Sequence, residues 1–565
     1  MTLAVRTEGH PLRYPHTESW TRRWLPFVVV TVVFAAVVLY EIELPGVYSD
    51  EVAPDYNVVR VLNWNHPHIT GDALPGNLVF GRLPILNGLH YGTQTVWLGL
   101  PLFWVFGTSV AGLRITHGLF ALGILAAVYA LLCAAGVRRW WAAGACAALA
   151  VDPAFVYSFR TQGYLSLAPS AWMFLSLYAL QRTATATVER QSRWLALGGL
   201  MMGLAFSGYF IYIFFAPVIA VAVLLWVGPR GVPPQRTKRL AYWIAGFAIG
   251  TLPYIIGYGL LIISEGGLAA GWAYIVYAHE LAGGRATDFS FDDRVAFFQI
   301  VIRLAFSNAS HHVLIFGEDV PAVGAELKML LLLGLPPLLW VIAEYRKRAT
   351  PMLRILLGMQ ICFVPWALYF GGRLWAHHYE PLIPIAYATL ALALLTLVGD
   401  PAAKWRRWIY AAPFAVLLVL NAAAIDDEAA ALRAKGGVGL YSDAINHFAD
   451  DTLRDRRDDY VVMPDWGLFT SAVFLTGGTV EMDTYEQYPR ARGVLCAGRD
   501  VSVALINGDR AARFANWQKE LEWGPPIIKD YRQRDGTIVF SVGTFSGREA
   551  GQRCPASATT EPVAK

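Results

Sequence analysis

Charge is what this sequence has least of. Only 16% of its 565 residues are Asp, Glu, Lys or Arg, against about 25% in soluble domains. Hydrophobic residues make up 56%, and the mean hydropathy is +0.42. That balance excludes a disordered chain, and five cysteines are too few for a disulfide-built scaffold. Forty-six basic against 42 acidic residues leave a net charge of +4, too small to mark a nucleic-acid binder. A phosphate-binding glycine loop with its lysine, a GxSxG turn and an HExxH zinc motif are all missing. The composition is that of an integral membrane protein with an appended soluble part.

Apolar runs recur from about residue 24 to 426. Beyond Ile425 the text becomes DDEAAALRAKGG, and no later run is long enough to cross about 30 Å of hydrocarbon. Eleven spans are predicted, near 24–43, 112–134, 140–158, 164–181, 194–208, 210–228, 240–263, 327–343, 354–370, 379–397 and 408–425. The first is followed by ELPGVYSDEV, which has no small-residue cleavage site, so it reads as a span and not a removed leader. Residues 1–23 form a short leading segment, 24–427 the membrane domain, and 428–565 a water-soluble domain.

Lys and Arg in short loops gather on the cytoplasmic side. With the N-terminus inside, inside segments hold 20 of them, among them Arg138, Arg139, Lys404, Arg406 and Arg407, and the outside segments before the tail hold seven. An odd number of spans then places the tail outside, where thiols oxidise. Cys496 and Cys554 are therefore expected to pair, while Cys133, Cys146 and Cys362 fill apolar space. The stretch 93–107 is apolar but short and broken by Gly99 and Pro101. It reads as a helix lying in the outer interface. Two long outside loops follow from this topology, 44–111 and 264–326, and long ordered loops are usually functional.

Polar chemistry at the outer face begins with Asp50 and Glu51. Asp50 reads either as a helix N-cap or as a carboxylate held at the membrane surface as general base. In SFRTQGYLSLAPS, Arg160, Gln162 and Tyr164 are either interfacial anchors or substrate-binding groups. The turn FGGRLWAHHYEPLIP packs Arg373, His377, His378, Tyr379 and Glu380 beside two spans, a costly setting that tends to mark sites. An arginine there suits a lipid phosphate. Adjacent histidines are not a helical ligand pair, and nothing nearby completes a zinc site. His311 and His312 read as a polar loop face. Asp152, just before Pro153, reads as a turn or kink deep in the third span.

The tail alternates helix and strand: a helix at YSDAINHFADDTL, a strand at YVVMP, a helix at WGLFTSAVFLTGG, strands at VSVALI and TIVFSV, and a helix at DRAARFANWQKELEW between them. That is a small α/β layer fold. No GxGxxG appears in it, which disfavours nucleotide binding.

Over residues 24–400 the layout resembles the GT-C superfamily of integral membrane glycosyltransferases, which includes protein O-mannosyltransferases, aminoarabinose transferases and oligosaccharyltransferase catalytic subunits. YSDEV is similar to that group's acidic motif, SFRTQGY to its arginine-containing turn, GLMMGLAFSGYFIYIFFAP (199–217) to its glycine-rich fifth span, and HHYEPLIPIA (377–386) to its His/Tyr-Pro segment. The resemblance implies a mostly α polytopic domain acting on the outer face of the cytoplasmic membrane. It implies a polyprenyl-phosphate sugar as donor and a hydroxyl of a lipid, glycan or protein as acceptor. Asp50 would be the base of an inverting transfer and Glu51 its orienter. Arg373 with His377 or His378 would hold the departing phosphate, Tyr379 would line the same site, and Arg160 would contact sugar or phosphate. The second outside turn lacks the acid many members carry, so no cofactor and no metal is expected. The competing readings are a transporter or flippase for lipid-linked sugars, which would need polar residues at mid-span, and a non-catalytic assembly subunit.

The topology makes a direct prediction. A phosphatase reporter fused after Gly437 should be active, and one fused after Arg190 inactive; the reverse pattern overturns the assigned orientation.

Overall fold

The computed structural model describes residues 20–53, 55–64, 74–161, 167–225, 233–283, 289–307, 309–317, 324–398, 404–506, 508–549 and 554. Gln162, Tyr164 and the side chains of His311 and His312 lie outside the described residues.

The chain is mostly helical, and helix covers each of the eleven predicted segments. Among the described residues, five helices are long and apolar enough to cross a membrane: Val110–Ala134, Ala325–Tyr345, Pro351–Arg373, Ala376–Val398 and Trp405–Lys435. A sixth candidate is the pair Arg236–Gly250 and Leu252–Ser264, bent by 48°. This is a multi-pass membrane protein. The third predicted segment is two helices, Arg139–Ala150 and Pro153–Ser158, divided at Asp152, whose carboxylate caps the second by accepting from Ala154 N at 2.9 Å.

Apolar faces gain little by meeting each other in lipid, so close backbone packing holds such helices together. Val188–Gly208 and Pro233–Gly250 show how. Gly199 and Gly203 on one helix face Gly246 and Gly250 on the other, each pair four residues apart. A Cβ on Gly199 would lie 1.9 Å from Trp243 O, and one on Gly246 2.0 Å from Ala196 O. Polar pairing supplies a second lock. Lys328 meets Asp152 at 2.5 Å, Tyr387 donates to the other Asp152 oxygen at 2.7 Å, and Asn421 donates to Tyr387 at 2.8 Å. All four side chains are buried, and together they tie four elements.

The two long connecting segments contain regular structure. Residues 264–326 carry the helices Leu268–Gly283, Phe291–Ser307 and Ala309–Phe316. The loop 44–111 carries short helices, two small hairpins and the helix Gln94–Phe106. That helix exposes Trp97, Leu98, Trp104 and Val105 on one flank while burying Val96 and Phe103.

Residues beyond the membrane part form a five-stranded sheet. Its strands are β1 (Tyr460–Val462), β2 (Glu481–Asp483), β3 (Val501–Leu505), β4 (Ile527–Arg532) and β5 (Ile538–Phe545), ordered β2-β1-β3-β5-β4. β1 is parallel to both neighbours, with Val461 opposite Met482 and Ser502; β5 runs antiparallel to β3 and β4. Strands β2 and β4 and the helix Tyr488–Cys496 are additions to the sequence reading. A disulfide joins Cys496 to Cys554.

The sheet domain is seated on the first loop through one continuous core. Val47, Val52, Tyr56, Val59 and Phe103 pack with Phe448, Phe469, Phe474, Met482 and Phe540. Backbone contact is equally close: Gly46 N donates to Tyr441 O at 2.8 Å, and a Cβ on Gly46 would lie 1.9 Å from Ser442 O.

The glycine seam is testable. Gly246→Leu should lower folded yield and the apparent Tm in detergent by an amount equivalent to at least about 1–3 kcal/mol of overpacking. Gly259→Leu, where nothing lies within 4 Å, should leave both nearly unchanged.

Candidate active site

The last carbonyls of a helix have no partner within it. At the end of Trp20–Leu39, and just beyond, arginines from distant elements accept that role. Arg160 donates to Val38 O and to Tyr40 O, the latter at 2.8 Å. Arg114 donates to Ile42 O and Pro45 O, both at 2.8 Å. Cations also suit the negative end of a helix dipole. Arg160 is 2% exposed, and burial pushes its guanidinium down to about 10, so it stays charged at neutral pH.

Arg114 turns its remaining donors on Glu51, with Nε 2.9 Å from Oε1 and Nη2 3.1 Å from Oε2. Both side chains are fully buried. Burial pushes the Glu51 carboxyl up while Arg114 pulls against it. Three residues on, His117 lies on the same helix face, and its Nε2 is 2.7 Å from Asp55 Oδ2. Its Nδ1 is 3.1 Å from Phe159 O. A carbonyl only accepts, so Nδ1 bears a proton, and one further proton is shared between Nε2 and Asp55. Two acid–base pairs thus fasten the residues around Asp50 to the Val110–Ala134 helix.

Asp50 lies in the first turn of Ser49–Val52, whose N-cap is Tyr48. Ser49, Glu51 and Val52 are buried; Asp50 is half-buried. Asp50 is therefore the acid of its motif that retains access to solvent, while Glu51 is held by Arg114.

The hairpin Leu86–Gly88/Tyr91–Gly92 carries this loop to the break between two helices. Tyr91 forms a β-bridge with Tyr209, and Phe210 N donates to His90 O at 2.9 Å. Tyr209 consequently sits between two groups of the sequence reading. Its ring lies 6.0 Å from that of His378. His378 stacks 4.0 Å from His377 and directs Nδ1 to Trp375 O at 3.3 Å. Tyr379 is wedged against Phe298 and Phe363. Arg373 ends the preceding helical turn, half-buried.

Four buried polar atoms in this group have no hydrogen-bond partner among the described residues: Tyr209 OH, His377 Nδ1, Tyr379 OH and Glu380 Oε2. Orphaned buried groups each cost about 1–3 kcal/mol and are uncommon outside functional sites. Tyr209, His377, His378 and Glu380 therefore gather at one end of the helices. Arg160 is engaged elsewhere, by the carbonyls of Val38 and Tyr40. Among the described residues no group of three or more His, Cys, Asp or Glu is placed to hold a metal ion.

Sequence reasoning passed over Arg114, His117, Asp55 and Tyr209. A signal for two of them was present: Arg114 and His117 are ionisable residues three apart at the start of an apolar span, a costly placement that asks for partners.

No model of a protein family matches the sequence, and no curated relative does. The fold does have solved counterparts. ArnT from Cupriavidus metallidurans in the apo state superposes with a TM-score of 0.54 at 13% identity, covering 95% of this chain and 100% of that one. The same protein bound to undecaprenyl phosphate gives 0.52 at 14% identity, with 96% and 100% covered. The Archaeoglobus fulgidus oligosaccharyltransferase in the apo form gives 0.48 at 13% identity, over 93% of this chain and 75% of that one. This chain therefore shares the overall fold of ArnT.

The clamp separates two roles within one motif. Glu51→Ala leaves Arg114 buried and unpaired, which should cost about 3–5 kcal/mol and show as loss of folded protein in detergent. Asp50→Ala, at the neighbouring position, should melt within a few degrees of wild type.

Proposed function

We propose that this protein is a membrane glycosyltransferase that moves a sugar from a polyprenyl-phosphate donor to a hydroxyl acceptor, with inversion at the anomeric carbon. The observation that carries the reading is the cluster of orphaned atoms on Tyr209, His377 and Glu380, to which the Tyr91–Tyr209 bridge joins the loop of half-buried Asp50. The undecaprenyl phosphate bound by the ArnT counterpart supports the choice of donor.

In this mechanism Asp50 accepts the proton of the acceptor hydroxyl as its oxygen attacks the anomeric carbon. The bond to the phosphate oxygen breaks on the opposite face, and the leaving group departs as polyprenyl phosphate. Arg373 and the N–H of His377 stabilise the negative charge that grows there, an effect worth about 3–4 kcal/mol per well-aimed donor. His378, paired with Trp375 O and lying beside the Tyr209 ring, orients that turn, and Tyr379 anchors it in the aromatic core. Glu51 and Arg160 serve as positioning residues: one fixes the turn carrying Asp50, the other the end of the first helix. The acceptor is a lipid, a glycan or a protein, the reaction takes place on the outer face of the cytoplasmic membrane, and the sheet domain lies on that side.

The transporter reading is not favoured. In the bundle, Lys328 is paired with Asp152, whose other oxygen accepts from Tyr387.

The test is release of free polyprenyl phosphate from a panel of polyprenyl-phosphate sugars, with membrane-lipid extract as acceptor. Wild type should consume one donor, and Asp50→Asn should lower turnover by about 10²–10⁴ with melting unchanged. Equal activity in the two proteins removes Asp50 as base, and no release from any donor overturns the reaction.

A further inference from the structure

Three helix ends meet on the face that the sequence reading places inside, opposite the candidate active site. Leu167–Thr185 ends there, and Val188–Gly208 and Pro233–Gly250 begin there. A Cβ on Gly199 would approach Trp243, and one on Gly203 would approach Phe247 and Gly250, so the latter two helices run the same way. Lys238 and Arg239 therefore stand level with Arg190 and Arg193. At about 100° per residue, Arg190, Arg193 and Leu197 fall on one flank of the glycine seam. Lys238, Arg239 and Tyr242 fall on the same flank of the facing helix.

Residues 181–193 and 233–245 hold six Arg and Lys against one acid, Glu189. Arg182, Arg190 and Arg193 are exposed, and among the described residues none of them has a carboxylate or hydrogen-bond partner. Other cations of that side are engaged: Arg354 is paired with both oxygens of Glu344, and Arg406 donates to Val398 O at 3.2 Å.

Arg182 is held in place without being neutralised. Its guanidinium lies 6.0 Å from the centroid of the Tyr178 ring and 5.5 Å from that of Trp194, and the two rings meet edge-on at 6.1 Å. Aromatic faces orient a guanidinium and leave its N–H donors open to an anion. Arg190 stands one turn before Trp194 on the same helix face. One turn further along lie exposed apolar groups, Leu197 after Arg193 and Tyr242 after Lys238. Along the helices the order is thus cations, an aromatic collar, then apolar surface. A free anion has no use for the apolar strip. An anionic phospholipid matches all three zones, with its phosphate at the arginines and its chains below.

We propose that the patch of Arg182, Arg190 and Arg193, bordered by Lys238, binds the phosphate headgroup of an anionic phospholipid. Its acyl chains lie along Leu197 and Tyr242. The lipid then bridges two helices already joined by the glycine seam and stabilises them by mass action. The proposal stands apart from the transferase reading, since it concerns the opposite end of the helices.

Full-length protein in neutral detergent is titrated with cardiolipin, phosphatidylglycerol, phosphatidylcholine or inorganic phosphate, and read by native mass spectrometry and thermal melting. The two anionic lipids should bind and raise the Tm, and the other two probes should do neither. Arg182→Gln, Arg190→Gln and Arg193→Gln together should weaken anionic-lipid binding at least about tenfold. Arg346→Gln, Lys347→Gln and Arg348→Gln together remove the same charge from another loop of that side, and should weaken it less than about threefold. Should the first triple variant fail to fold, Arg190→Gln alone must still weaken binding at least about twofold. Equal losses in the two triple variants overturn the site in favour of general charge attraction. Equal binding of phosphatidylcholine also overturns it, and a matching response to inorganic phosphate makes it a free-anion site instead.

Discussion

The arrangement depends on two buried acid–base pairs stacked along one helix face, Glu51 with Arg114 and Asp55 with His117. Ion pairs on a surface are worth little, but one that is sealed from water cannot be half-removed without leaving a bare charge. Arg114 does more than pair with Glu51, since it also takes the carbonyls of Ile42 and Pro45. The chain leaving the first helix, the turn bearing Asp50 and the start of the Val110–Ala134 helix are thereby one rigid joint. The joint fixes the turn that carries Asp50 while leaving that carboxylate partly open.

The sheet domain belongs to this joint as much as to itself. Its core continues into Val47, Val52, Tyr56 and Phe103, and Ser49 shares a 2.8 Å hydroxyl contact with Thr470. Neither the loop nor the domain has a closed core alone. The consequence is cooperative: unfolding the sheet uncovers the apolar underside of the very turn that carries Asp50.

Much of this was legible from residue order. Apolar runs gave the helices, and a single acidic dipeptide after the first span marked the loop that matters. The strands β1, β3 and β5 declared themselves by Val- and Phe-rich runs. β2 did not, because a strand of Glu481, Met482 and Asp483 carries almost no pattern, nor did edge strand β4, whose Ile527 and Ile528 are exposed. The partners of Glu51 and Asp55 were invisible for another reason: they lie 63 and 62 residues away, and only the fold brings them together. Arg160 shows the opposite limit. Its sequence neighbourhood suits an interfacial arginine, yet its guanidinium is occupied by the carbonyls of a helix end.

The 32-residue helix Lys404–Lys435 runs without interruption from the membrane part to the sheet domain. At 1.5 Å per residue it is about 48 Å long, longer than the hydrocarbon is thick, so its final turns stand clear of the bilayer. It acts as a ruler and a spindle at once. One residue inserted in its outer half would raise the domain by about 1.5 Å and swing it through about 100°, carrying Trp466 away from Tyr48, whose ring it meets edge-on. The height and azimuth of the outer domain over Asp50 are thus written in the length of one helix.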